Sequence, residues 1–218
     1  MGKIEGISIQ NYGSLKSVKL GKLLSDQSGK ALGNMVTIIG PSGTGKSTLA
    51  DAFGFIADCL ENGVEAACDM NNRGGFRQLV SQCATQPIHF ELYYRESSNS
   101  RPITYELAIS IDKNDRPFVL DERLRQRVEK RGQPKSFLNV HNGIGYAFEG
   151  KAGWQDEEGK ISGEGKRVEV QLADKRKLGI ATYGAMAQYS RIVGFMNFLK
   201  SWYLCYFSPD AARRVQIA

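Results

Sequence analysis

Met35-Val36-Thr37-Ile38-Ile39-Gly40-Pro41-Ser42-Gly43-Thr44-Gly45-Lys46-Ser47-Thr48 changes character halfway along. Its first five residues carry no charge and are mostly aliphatic. A continuous apolar run of that length predicts a buried central strand of a parallel sheet. A helix is predicted to start at Lys46 or Ser47, because Leu49, Phe53, Ile56 and Leu60 recur at helical spacing and Asn62-Gly63 supplies a stop.

The turn between them, Gly40 to Ser47, matches G-x-x-x-x-G-K-[ST] without a mismatch. Each residue type in that spacing has a physical task. Gly40, Gly43 and Gly45 open backbone conformations closed to other residues and let the main chain approach a ligand closely. Successive N–H groups, ending at a helix N-terminus, then suit a phosphate. Lys46 would set a point charge against the β- and γ-phosphates, Ser47 would ligate Mg²⁺, and Thr48 would lie near the α-phosphate. Gly40, Pro41, Ser42, Gly43, Thr44, Gly45, Lys46, Ser47 and Thr48 are therefore the expected nucleotide site, with ATP and Mg²⁺ as the expected ligands.

On the N-terminal side, Ile4, Ile7 and Ile9 open an extended segment. Leu15, Val18 and Leu20 follow the turn at Tyr12-Gly13-Ser14 as a second short strand. On the C-terminal side, 90–94, 103–111 and 118–120 read as strands separated by the polar turns 97–100 and 112–115. They predict an antiparallel meander, a lobe at 88–150. Residues 150–166 read as an exposed loop, and 190–207 as a helix with Ile192, Phe195, Met196, Leu199, Trp202, Tyr203 and Tyr206 on one face. The predicted fold class is α/β: a P-loop NTPase sheet with helices plus this antiparallel lobe, in one domain over 1–218.

The 218 residues suffice for a sizeable core. With 41% hydrophobic and 24% charged residues the chain reads as ordinary globular protein. No apolar run approaches the roughly 20 residues that span a bilayer. No membrane partner is expected, and the cytoplasm is the expected address. The net charge of +6 mildly favours polyanionic partners such as DNA. Arg73 with Arg77, the run Arg123, Arg125, Arg127, Lys130 and Arg131, and Lys175-Arg176-Lys177 are the basic groups that would follow a phosphate backbone. A solvated face is the simpler reading of these groups. Cys59, Cys68, Cys83 and Cys205 form no C-x-x-C pair and fit no zinc spacing, so reduced thiols are expected.

The opening from Ile4 to Leu20, with its Asn11-Tyr12-Gly13-Ser14 turn, resembles the start of RecF/SMC-like ATPases. Gly40 to Thr48 with Leu49, Asp51 and Ala52, then Arg73-Gly74-Gly75-Phe76-Arg77, the meander, and Ile192 to Pro209 extend the likeness to bacterial AAA-type members, some related to overcoming-lysogenization-defect proteins. The resemblance implies the N-terminal half of an ABC-type head domain, incomplete at the C-terminus. It also implies a homodimer closed through ATP, and service in DNA repair, chromosome maintenance or phage defence with DNA or a partner protein of such a system.

Such heads hydrolyse ATP with a signature motif, a Walker B strand and a switch histidine, none of which is present here in its expected place. His89 and His141 lie mid-chain and read as ordinary residues. Phe118-Val119-Leu120-Asp121-Glu122 has a Walker B outline, which makes Glu122 a catalytic candidate. Pro117 and the following basic run argue against it. Gln188, and otherwise Gln82, are the candidates for a water-positioning glutamine. Hydrolysis is therefore expected to need motifs outside this sequence. Competing readings are a guanylate-kinase-like nucleotide kinase, the ATP-binding subunit of a transporter, and a regulator that binds ATP without turning it over.

Overall fold

The computed structural model describes residues 2–126, 134–150 and 165–202, together with the backbone alone of 154–155 and 161–162. Alternating apolar residues pair off in chain order. The strands are β1 (Lys3–Tyr12), β2 (Leu15–Gly21), β3 (Ile88–Arg95), β4 (Ile103–Ile111), β5 (Pro117–Gln126), β6 (Lys135–His141) and β7 (Ile144–Gly150). The short pair β8 (Trp154–Gln155) and β9 (Ile161–Ser162) forms its own ribbon, and β10 (Gly165–Gln171) follows. Among the described residues, the other eight strands form one sheet in the order β10-β7-β6-β5-β4-β3-β1-β2. Every neighbouring pair in it is antiparallel.

The register explains the core. One row of facing residues crosses all eight strands: Leu20, Ile7, Leu92, Tyr105, Leu124, Leu138, Ala147 and Val168. All are apolar or aromatic, and all except the outermost two are buried. The helices are α1 (Lys46–Asn62), α2 (Val64–Asp69), α3 (Phe76–Leu79), α4 (Gly179–Tyr183) and α5 (Ser190–Lys200). α1 turns Leu49, Ala52, Phe55, Ile56, Cys59 and Leu60 into the core. Phe55 meets Tyr12 and Phe90 with ring centroids 5.3 and 6.0 Å apart. α5 adds Ile192, Phe195, Met196 and Leu199, with Tyr94 stacked on Phe198 at 4.0 Å.

This architecture corrects the expected fold class. The described residues form one eight-stranded antiparallel sheet, a two-stranded ribbon and few helices, and not an α/β P-loop NTPase sheet. The reason lies at Met35–Ile39. These residues form no strand and leave Met35 and Ile39 each 88% exposed. A strand is made by a neighbour's hydrogen-bonding edge, and 35–39 lies against neither open edge of the sheet, β2 nor β10, as a paired strand. The meander at 88–150 is no separate layer, because β3 pairs directly with β1 and β7 with β10. Phe53, expected on the inward face of α1, is half-buried at the margin of the core and meets Trp202 with ring centroids 5.3 Å apart. With Ile4, Val36, Ile38 and Leu49 these two rings line an apolar groove of about 710 Å³ beside the glycine turn. Arg127, Lys130, Arg131, most of the expected 150–166 loop, and Tyr203 to Val215, including Cys205, Tyr206 and Pro209, lie outside the described residues.

Candidate functional site: the glycine turn at the start of α1

Gly43 and Gly45 both take left-handed backbone angles, with φ of 81° and 88°. α1 begins at once with Lys46. Left-handed geometry at Gly45 turns the chain sharply into the helix, where a side chain would be strained. The first backbone N–H groups of α1 lack intrahelical acceptors, as at any helix start. Lys46 Nζ curls over the loop and donates to the carbonyls of Gly40 at 2.8 Å and Pro41 at 2.6 Å. Thr44 Oγ1 donates to the Pro41 carbonyl at 2.9 Å. A cleft of about 570 Å³ is lined by Ser14, Ser42, Gly43, Gly45, Lys46, Ser47 and Thr48. Ser47 is exposed there and Thr48 is partly covered.

Sequence reasoning missed Ser14. It belongs to the tight β1–β2 turn, and its Oγ lies 3.1 Å from Thr48 Oγ1. A Cβ on Gly13 would come within 2.8 Å of the Thr48 methyl, and one on Gly45 within 2.8 Å of Leu15. The β1–β2 turn is therefore the second wall of the cleft, and the small residues at 13 and 45 permit the contact. The match of this turn to the resemblance was visible in the sequence, but its seat against Thr48 was not. Ser81 Oγ holds the turn from behind by donating to the carbonyls of Gly13 at 2.8 Å and Leu15 at 3.3 Å.

Beside the cleft lies an ion network built around one buried guanidinium and two partly exposed carboxylates. The Arg73 side chain is 3% exposed and binds two carboxylates of α1. Its Nε and Nη2 donate to Asp51 Oδ1 at 3.1 and 2.9 Å, and Nη1 donates to Asp58 Oδ2 at 2.5 Å. Nη1 also reaches the Ala67 carbonyl at 3.0 Å, and the guanidinium stands 5.3 Å from the centre of the Phe55 ring. Tyr12 donates its hydroxyl to Asp51 Oδ2 at 2.5 Å. Burial, then the Asp51 carboxylate, push the Tyr12 phenol far up, which keeps it a proton donor.

The remaining candidates lie apart from the cleft lining. Glu122 points into the helix-facing side of the sheet, fully buried, and accepts from Tyr105 Oη and Ile180 N at 3.0 Å each and from Gly179 N. Gln188 is exposed, and its Nε2 donates to Glu149 at 2.9 Å. Gln82 is exposed next to Ser81, the residue that braces the β1–β2 turn. His141 contacts Asp121 at 2.8 Å, and His89 is half-buried, its pKa lowered by burial. Several cations proposed for DNA are held by acids. Arg125 pairs with Glu106, Arg77 with Asp115 at 2.5 Å, and Arg176 with Asp174 and Glu65 at 2.7 and 3.1 Å. Cys59 and Cys68 are buried free thiols, with burial pushing Cys68 up to about 12. No group of His, Cys, Asp and Glu among the described residues could hold a metal. No helix among them is long and apolar enough to cross a membrane.

Compared with known protein families and with curated proteins, the chain matches no family and no protein.

Proposed function

We propose that this chain binds a nucleoside triphosphate with Mg²⁺, in first place ATP, at Gly40–Thr48. The observation that carries the reading is the union of left-handed Gly43 and Gly45, a helix start at Lys46, and an ammonium already folded over the turn. The lining offers backbone donors, hydroxyls and one cation, a donor set that fits a polyphosphate. On binding, Lys46 would exchange the carbonyls of Gly40 and Pro41 for phosphate oxygens, which as anions are the stronger acceptors. Ser47 would hold the magnesium, whose charge offsets that of the phosphates. The reading rests on the turn and its helix, independently of the sheet behind them.

In cellular terms we place the chain in the cytoplasm, among ATPases of the RecF/SMC-like kind serving DNA repair, chromosome maintenance or phage defence. That placement is supported by the resemblance from Ile4 to Leu20 and across Gly40 to Thr48. Glu122 and Gln188 stand apart from the cleft, so the activity proposed for the chain itself is binding. Hydrolysis would need a carboxylate brought to Ser47.

Titration of the chain with a fluorescent ATP analogue and Mg²⁺ tests the proposal. Saturable binding is expected, weakened by two orders of magnitude or more, about 3 kcal/mol, in Lys46→Ala. Equal signals from the two proteins would refute it.

A further inference from the structure

We infer that Arg73 is a positioning residue for the nucleotide cleft: it fixes the roll of α1 about its axis, and with it the aim of Lys46 and Ser47. The inference rests on the nucleotide reading above.

The backbone around Arg73 is unusual. Asn71, Asn72, Gly74 and Gly75 have φ of 54°, 61°, 75° and 89°, while Arg73 itself is helical at −70°. Left-handed angles at two non-glycine residues are unfavourable, and asparagine is among the few that accept them. This contorted turn delivers a single guanidinium into the protein. A buried guanidinium held by carboxylates seldom adds stability over well-packed apolar side chains of the same volume. What it supplies is direction, since a planar fork accepts its carboxylates in few orientations.

The carboxylates are placed to use that direction. Asp51 follows Ser47 by four residues, so it stands one turn further along the same face of α1. Asp58 lies two turns beyond Asp51 on that face. Arg73 grips both. A rod held at two points along one side cannot roll. Tyr12 supplies a third hold, through Asp51, from the strand end that leads into Gly13 and Ser14, the opposite wall of the cleft. The network thus ties both walls to one fixed frame.

The test uses the full chain, the fluorescent ATP analogue, and Mg²⁺ present or absent. One variant replaces the whole ion network by neutral groups, Arg73→Met with Asp51→Asn and Asp58→Asn. A second, Tyr12→Phe, removes one hydroxyl only. Both are expected to melt near the wild type. The triple variant should bind at least roughly tenfold more weakly, because a small misplacement of fixed groups is costly. Its gain in affinity on adding Mg²⁺ should shrink as the Ser47 hydroxyl loses its aim, and Tyr12→Phe should show the same trend to a smaller extent. Wild-type affinity with a wild-type Mg²⁺ gain in both variants would overturn the inference, as would weaker binding with that gain intact. If the triple variant does not fold, Tyr12→Phe decides by the same two readings. Absence of binding by the wild type would instead remove the nucleotide reading itself, and this inference with it. Wild-type binding lost in Lys46→Ala keeps the two failures distinct.

Discussion

Glu122 faces the core in a row otherwise made of Val18, Ile9, Phe90, Leu107, Val140, Gly145 and Val170. Burial pushes its carboxyl up from the ordinary 4.5 to about 7, against the pull of the Ile180 and Gly179 N–H groups and the Tyr105 hydroxyl. The folded protein therefore holds a proton on Glu122 that the unfolded chain has already released above pH 4.5. The favourable contribution is complete below about pH 4.5 and is lost as pH rises through about 7. At 1.36 kcal/mol for each tenfold change, the effect is on the order of 3 kcal/mol. Denaturation at pH 5 and pH 8 should show the wild type losing stability at the higher pH. Glu122→Gln should flatten that slope; an unchanged slope in the variant would assign it elsewhere. The apolar run and acidic pair that give this residue a catalytic outline thus have a different use. Leu120, the extra residue of a bulge opposite Ala108 and Ile109, and Asp121 stay half-exposed, while the acid on the inner face ties α4 to β4 and β5.

At the level of elements, much was legible where the determinants are local. The start of α1 at Lys46 follows from the glycine turn, and β1, β2 and the start of the helix predicted over 190–207 follow from spacing within each segment, although that helix ends at Lys200. The misreading at Met35–Ile39 has a non-local cause. An apolar run reports that a segment could be buried, while the partners that would bury it lie far away in sequence. Here β1 takes β2 and β3 as neighbours, and 35–39 runs outside the ladder. Ser14 escaped notice for the same reason, since its meeting with Thr48 joins residues 34 apart. Arg73 escaped as well: it read as one basic residue among several, and only the fold shows it buried. Thermolysin cuts before bulky apolar residues, so Val36, Ile38 and Ile39 should be its first targets. Mass analysis of the earliest fragments checks this, and first cuts inside β3 to β6 would contradict the exposure described.

Across the whole molecule, the strands from β3 to β7 lie side by side in the order of synthesis. Each of these pairs closes a short loop, whereas β1 must find β3 across the long intervening stretch that includes the glycine turn and α1. Closing a longer loop costs more chain entropy, and non-local pairing slows folding. The central hairpins are therefore expected to mature first, with the amino-terminal hairpin docking late. Pulsed hydrogen exchange should find amides of β4 and β5 protected before those of β1; simultaneous protection would rule this order out. Because Ser14 and Tyr12 arrive with that late hairpin, the nascent protein would pass through a stage with its central strands assembled and the cleft at the glycine turn still lacking one wall. Completion of that cleft would then be the last event on the way to the native state.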